Sequence, residues 1–223
     1  MLVIGHRGAA GLAPENTLES LHAGIASGAD MLEFDVRLTS DNVPILCHDA
    51  SIYGKNVRKS TLNELKFLGE ITTLREVLDE FFGTILLNLE YKPNSDIDVI
   101  ANILKTEYVK RKGDWENIII SSFRVRTLSR LRELCPYANI ALLHSINPLA
   151  FVTYHRRLRL SAVGWHRLHV NSFATSIAHK AGLFTYVYTV NRPKAAILMS
   201  AKGIDGVVTD YPDRVAKALR QAS

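Results

Sequence analysis

An α/β fold, read as a (β/α)₈ barrel, follows from two features of the sequence. Eight apolar runs of strand length alternate with amphipathic helical stretches, and no Pro/Gly/Ser-rich linker or charge block interrupts them. The 223 residues also divide into eight units of about 28, near the lower size limit of a closed barrel. An open doubly wound sheet gives a similar alternation, and periodicity does not separate the two. Either way, residues 1–223 read as a single domain.

The elements follow in order. Leu2–His6 is the first apolar strand. Asn16 with Glu19, ahead of Leu21, Ile25 and Ala26, has the spacing of a capping box, and Gly28 closes that helix. Met31–Leu38 is the second strand, followed by an additional short strand at Pro44–Cys47. A short insertion, Ala50–Lys59, precedes a helix beginning near Ser60. Thr73 and Glu76 repeat the capping device before Val77, Leu78 and Phe81. Ile85–Tyr91, Ile118–Phe123, Ile140–His144, Ala162–His166, Phe184–Val190 and Gly206–Thr209 complete the strands, with Gly182 and Gly203 ending helices before the last two. Nearly all are apolar throughout, as parallel strands covered by helices must be.

The chain carries 27 Lys and Arg against 22 Asp and Glu. This mild, scattered excess fits an anionic small molecule and gives no ground for a nucleic-acid partner. The longest apolar segments fall far short of a span, so no stable membrane insertion is expected. The opening Met-Leu-Val-Ile-Gly-His-Arg lacks the basic start of a signal peptide, which points to the cytoplasm. Cys47 and Cys135 lack metal-ligand spacing and read as inert, buried thiols.

Barrel enzymes place their chemistry at the C-terminal ends of strands, and polar doublets collect there. His6 and Arg7 end the first strand. Glu33 and Asp35 lie two apart in the second and project from one face. His48 and Asp49 end the short strand, and Glu90 and Lys92 end the next. An ordinary ion pair with Arg7, Lys92 or Arg37 explains any one carboxylate pair. Three carboxylates converging from neighbouring strands call for a cation, because buried charge is costly without a counter-charge. Their hard oxygen donors suit Mg²⁺, Ca²⁺ or Mn²⁺ better than zinc. Histidines beside such an ion suggest general acid and base, with Arg7 and Lys92 on phosphate oxygens. His22 and His144 read instead as satisfied core residues. Asn16 reads as a helix cap, Glu15 as a neighbour supporting the site, and Phe123 as core or cleft lining. The cluster His155, Arg156, Arg157, Arg159, Arg167 and His169 reads as a solvated face rather than a head-group site.

Taken in order, His6-Arg7-Gly8, Pro14-Glu15-Asn16-Thr17, Glu33-Phe34-Asp35-Val36, His48-Asp49, Glu90-Tyr91-Lys92, Ser122-Phe123, Tyr188-Thr189-Val190-Asn191 and Gly203 through Pro212 resemble the glycerophosphodiester phosphodiesterase family. Each motif is weak alone; together they span nearly the whole chain. The resemblance implies a TIM barrel holding one divalent cation, Mg²⁺ or Ca²⁺ with Mn²⁺ an option, on Glu33, Asp35 and Glu90. It implies His6 and His48 as the acid–base pair, and Arg7 and Lys92 as phosphate ligands. The implied reaction cleaves a glycerophosphodiester to glycerol 3-phosphate and an alcohol. Two departures stand out. Tyr188 replaces the family's usual Trp, expected to pack on the glycerol, and Ala50–Lys59 is shorter than the insertion that commonly caps the site. Two other functions remain in view: lysophospholipase D action on acylated glycerophospholipids, and non-catalytic binding of glycerol phosphates.

Overall fold

The computed structural model describes residues 1–92 and 96–222. In chain order the strands are β1 (Leu2–Gly5), β2 (Met31–Leu38), β3 (Pro44–Leu46), β4 (Ser51–Ile52), β5 (Lys55–Asn56), β6 (Leu86–Tyr91), β7 (Ile118–Ser122), β8 (Asn139–His144), β9 (Ala162–His166), β10 (Phe184–Tyr188) and β11 (Gly206–Thr209). The α-helices are α1 (Leu18–Ala26), α2 (Leu62–Lys66), α3 (Leu74–Phe81), α4 (Ile97–Ile103), α5 (Val125–Leu134), α6 (His155–Leu158), α7 (Ser172–Lys180), α8 (Pro193–Ala201) and α9 (Pro212–Ala222).

β1 pairs in parallel with both β2 and β11, and the parallel order β2-β6-β7-β8-β9-β10-β11 joins them. The sheet therefore closes into an eight-stranded barrel, which excludes the open doubly wound alternative. β3 lies antiparallel against β2, outside the ring. β4 and β5 form a two-stranded hairpin, so the short insertion has its own ordered structure.

The alternation of side chains along each strand sorts the core into two layers. Ile4, Met31, Ala141, Leu143, Ala162, Tyr186 and Val208 cluster inside the barrel. Val3, Leu32, Phe34, Val36, Leu87, Leu89 and Val207 belong to a larger cluster with the helices. Burying each Leu, Val or Phe there contributes about 1.5–3 kcal/mol. The outward positions are thus committed to the helices, and only inward positions are left for chemistry. On β2 those are Met31, Glu33 and Asp35: apolar low in the barrel, acidic toward the mouth.

The expected helix stops are in place, with Gly28, Gly182 and Gly203 at φ of 84°, 72° and 81°. Thr73 and Glu76 form the expected capping box. The first helix departs from expectation. Its cap is Thr17, whose side chain accepts from Ser20 N–H at 3.1 Å, while Asn16 faces the barrel. His22 is also not core. It is exposed on α1, 2.6 Å from Glu80 and edge-on to Phe81. His144 is mostly buried, but its Nε2 has no hydrogen-bond partner among the described residues, and burial lowers its pKa to about 4. It is therefore neutral rather than satisfied. Cys47 and Cys135 are buried free thiols, and burial pushes Cys47 up to about 11. No helix among the described residues is long and apolar enough to cross a membrane.

Candidate active site

Register builds the centre of the site. β2 and β6 pair with Glu33 opposite Asn88 and Asp35 opposite Glu90, so two carboxylates face inward side by side. With Glu33 they form a cluster whose oxygens lie within 4.8 Å of one another. Lys92, just past β6, places its Nζ 2.8 Å from Asp35 Oδ1 and also bonds Glu90 Oε1. Arg7 Nε lies 3.2 Å from Asp35 Oδ2, and Arg7 Nη1 bonds both oxygens of Glu15 at 2.7 Å. Both cations expected to hold phosphate are therefore engaged by carboxylates, and each must give up a bond or use a remaining donor to take a phosphate oxygen.

The backbone between β1 and α1 is bent to serve this cluster. Arg7 and Asn16 both take left-handed φ, 49° and 59°, an unfavourable conformation for arginine. In that conformation Arg7 N–H donates to Glu33 Oε2 at 2.9 Å. Asn16 donates through Nδ2 to Asp35 Oδ2 and accepts from Asp35 N–H, both at 3.0 Å. Gly8 is required between them: a Cβ there would lie 2.5 Å from the Ser20 carbonyl oxygen. Asn16 is thus a holder of Asp35, and Glu15 the partner of Arg7.

These neighbours push the three carboxyls apart in acidity. Burial, reinforced by Asp35, pushes Glu33 up to about 8. Burial also pushes Glu90 up, again with Asp35 contributing. Burial alone would raise Asp35 as well, but Lys92, Asn16 and Arg7 outweigh it and hold Asp35 below the usual range. Glu33 Oε1 is buried without a hydrogen-bond partner among the described residues. A cavity of about 30 Å³ beside it, lined by His6, Asn88, Glu90, Tyr186 and Tyr188 among others, has room for a small ion. An all-oxygen donor set, an orphaned carboxylate oxygen and this space together fit a hard divalent cation.

Two histidines reach the cluster through different cavities. His6, one residue past β1, sits with Nδ1 2.5 Å from Asp210 Oδ1, which follows β11. Asn191 holds that carboxylate through Nδ2 to Oδ2 at 2.5 Å and accepts from Asp210 N–H at 2.9 Å. With Nδ1–H on Asp210, Nε2 is the ring nitrogen left for chemistry. Burial opposes charge on His6, but Asp210 and Glu33 outweigh it and raise its pKa. His48 lines a wider cleft of about 360 Å³ with Glu90, Lys92, Phe123 and Arg124. Its Nδ1 lies 2.8 Å from Asp49 Oδ1, and Arg37 fixes its backbone carbonyl through Nε at 3.0 Å and Nη2 at 2.8 Å. Glu90 borders both cavities. Tyr188 lies at the mouth, its hydroxyl donating to the His144 carbonyl at 2.9 Å and its ring edge-on to Phe123. Phe123 is 44% exposed, which places it in the cleft rather than the core.

The resemblance motifs contained Asp210, Asn191 and Asn16 without giving the first two a role. Asp210 obeys the same rule that singled out His6, a polar residue just past a barrel strand. Only closure of the ring makes the two neighbours.

Residues 6–214 match the model of the glycerophosphoryl diester phosphodiesterase family. The chain belongs to this family. It is 30% identical to a glycerophosphodiester phosphodiesterase of Caldanaerobacter subterraneus, over 99% of this chain and 98% of that one. An Oleispira antarctica phosphodiesterase solved with the product sn-glycerol-3-phosphate superposes with TM-score 0.87 at 27% identity, covering 99% of this chain and 97% of the other. A Thermotoga maritima glycerophosphodiester phosphodiesterase gives TM-score 0.82 at 29% identity, with 97% of each chain covered. Membership makes the chain an enzyme, a phosphodiester hydrolase.

The acidity of the site has a consequence for stability. In metal-free protein Glu33 keeps its proton up to about pH 8, whereas an unfolded glutamate loses it near 4.5. Folding therefore takes up a proton in that window, and stability falls as pH rises through it. His6, its folded pKa raised above 6.5, contributes below that pH and loses its contribution as pH climbs through the folded value. Both slopes have the same sign. Chelated protein should lose roughly 5 °C or more of Tm between pH 6 and pH 9, and Mg²⁺ or Ca²⁺ should flatten the decline. A Tm that rises over this range would contradict the assigned protonation.

Proposed function

We propose that residues 1–223 act as one catalytic domain that hydrolyses glycerophosphodiesters to glycerol 3-phosphate and an alcohol, using a divalent cation and the pair His6 and His48. The convergence of Glu33, Asp35 and Glu90 oxygens within 4.8 Å at the barrel mouth carries this reading. Those three residues would hold the cation, Mg²⁺ or Ca²⁺ with Mn²⁺ an option. When bound, it supplies charge neutralisation at the phosphoryl oxygens and acidifies the attacking hydroxyl.

The protein's own groups do the rest. Arg7 and Lys92 orient the phosphate, and Tyr188 offers its aromatic face to the glycerol. One histidine takes the proton of the substrate's C2 hydroxyl as that oxygen bonds to phosphorus. The other protonates the departing alcohol oxygen as its bond to phosphorus breaks. The roles then reverse, and water opens the cyclic phosphate to glycerol 3-phosphate. Asp210 supports the reading by stabilising the charged form of His6, and Asn191 by fixing Asp210.

A substrate panel with metal-stripped protein, adding back Mg²⁺, Ca²⁺ and Mn²⁺, tests the proposal. Release of choline, ethanolamine, serine or inositol with glycerol 3-phosphate is the expected result. The cleft beside His48 is open and the Ala50–Lys59 insertion short, so contacts to the leaving alcohol are few. Values of kcat/KM across the four diesters should stay within roughly two orders of magnitude. Turnover of lysophospholipids with no turnover of these diesters would favour the lysophospholipase D reading. Tight glycerol phosphate binding without turnover of either class would favour a binding protein.

A further inference from the structure

We propose that the barrel mouth on the β7–β10 side docks reversibly on an anionic lipid surface. Parallel neighbours β7, β8, β9 and β10 send their following loops out at the same end as the catalytic groups. Those loops carry large apolar side chains into solvent. Phe123 is 44% exposed, Ile146 74%, Leu168 72% and Phe173, at the start of α7, 67%. Ring contacts tie part of this arc together, from Phe123 to Tyr188 at 6.0 Å, on to His166 at 6.1 Å and then His169 at 5.7 Å. The β8 loop is held to β9 by the Trp165 Nε1–H bond to the Pro148 carbonyl at 2.9 Å.

Charge selects the occupant. Between Glu133 and Asp205 the sequence has 71 residues without a single Asp or Glu, and eight that are Lys or Arg. This acid-free stretch supplies β8, β9, β10 and all their mouth loops. Arg124 follows Phe123 and Arg167 precedes Leu168, while Arg192 ends the loop after β10 and Lys194 lies in the first turn of α8 at the same end of the barrel. Arg167 spends one donor on the Thr189 carbonyl, at 2.9 Å. The basic cluster seen in the sequence is accordingly two features. His155–Leu158 forms α6, which leads into the start of β9, whereas Arg167 and His169 follow its mouth end. Apolar side chains interleaved with cations, and no acid among them, match an interface of acyl chains beneath anionic head groups.

The test measures co-sedimentation of the full chain with vesicles of phosphatidylcholine alone and with 30% phosphatidylglycerol, at low and high salt. Each cation near a charged surface contributes roughly fivefold to the partition coefficient. Binding to the anionic vesicles should therefore exceed binding to neutral ones by at least tenfold and weaken with salt. The triple variant Ile146→Ser, Leu168→Ser, Phe173→Ser should reduce it by roughly tenfold or more. The same variant should keep its Tm and its kcat/KM on a water-soluble diester, since none of the three is placed in the catalytic machinery. Arg192→Gln with Lys194→Gln should remove the salt dependence in part and leave binding to neutral vesicles unchanged. Equal binding to both vesicle types, or wild-type binding by the triple variant, would overturn the proposal. So would a wild-type dimer in sedimentation velocity that the triple variant abolishes, because the arc would then belong to a second copy. Vesicle binding is read without turnover, so it stands or falls independently of the proposed reaction.

Discussion

Replacing His48 with alanine should lower kcat by roughly 10²–10⁴-fold, the usual loss for a positioned proton carrier, and shift KM much less. His6→Ala should fall in the same range. The Asp210–Asn191 chain holds His6 and keeps its pKa raised. Asp210→Asn should therefore move the limb of the profile that His6 governs toward lower pH, whereas His48→Ala should leave that limb in place. Steady-state kinetics from pH 5 to 9, with metal affinity measured calorimetrically on each variant, separates lost proton transfer from lost metal. If both alanine variants kept more than about a tenth of wild-type kcat, the acid–base assignment would fail.

Chelation should abolish turnover, with a loss of roughly a thousandfold or more, since a Lewis acid at a phosphoryl group contributes several kcal/mol. Glu33→Gln is the cleaner side-chain test. Glu33 Oε1 bonds nothing among the described residues, and Oε2 takes only the Arg7 N–H, so the amide leaves the surrounding bonds nearly unchanged. It should weaken metal binding, depress kcat/KM, and flatten the pH dependence of stability in chelated protein, because the titrating proton is gone. Asp35→Asn should cost more in folding. Asp35 organises Asn16, Arg7 and Lys92 together, and its loss leaves a buried ammonium short of a partner. Full activity of the wild type in excess chelator would end the metal reading.

How far the sequence disclosed this molecule depended on the range of the interactions involved. The strands were legible because parallel strands are buried on both faces. Their boundaries shift by one or two residues, at the C-terminal ends at His6, Cys47, Phe123 and Val190 and at the N-terminal ends at Ile85 and Asn139. The carboxylates on β2 and β6 were legible because a spacing of two fixes a shared face. Asn16 misled because Asn followed by Glu three residues later is a local signal, and the competing demand came from Asp35, nineteen residues away. His22 misled because helical periodicity does not say whether a flank is covered. The pairing of His6 with Asp210 spans 204 residues and exists only because β11 closes on β1. Nothing in a linear pattern distinguishes that ring from an open sheet.

That closure also sets a timetable for the newborn chain. β1 is made before β11, and one of its two neighbours and the carboxylate that orients His6 follow some 204 residues later. At synthesis rates of about 5–20 residues per second, this delay is on the order of 10–40 s. Through that interval β1 lacks its β11 neighbour, leaving a template open to wrong partners. Hydrolytic competence then arises abruptly, when the last strand arrives, rather than accumulating with length. A cell making this protein must therefore shelter an incomplete ring throughout that interval.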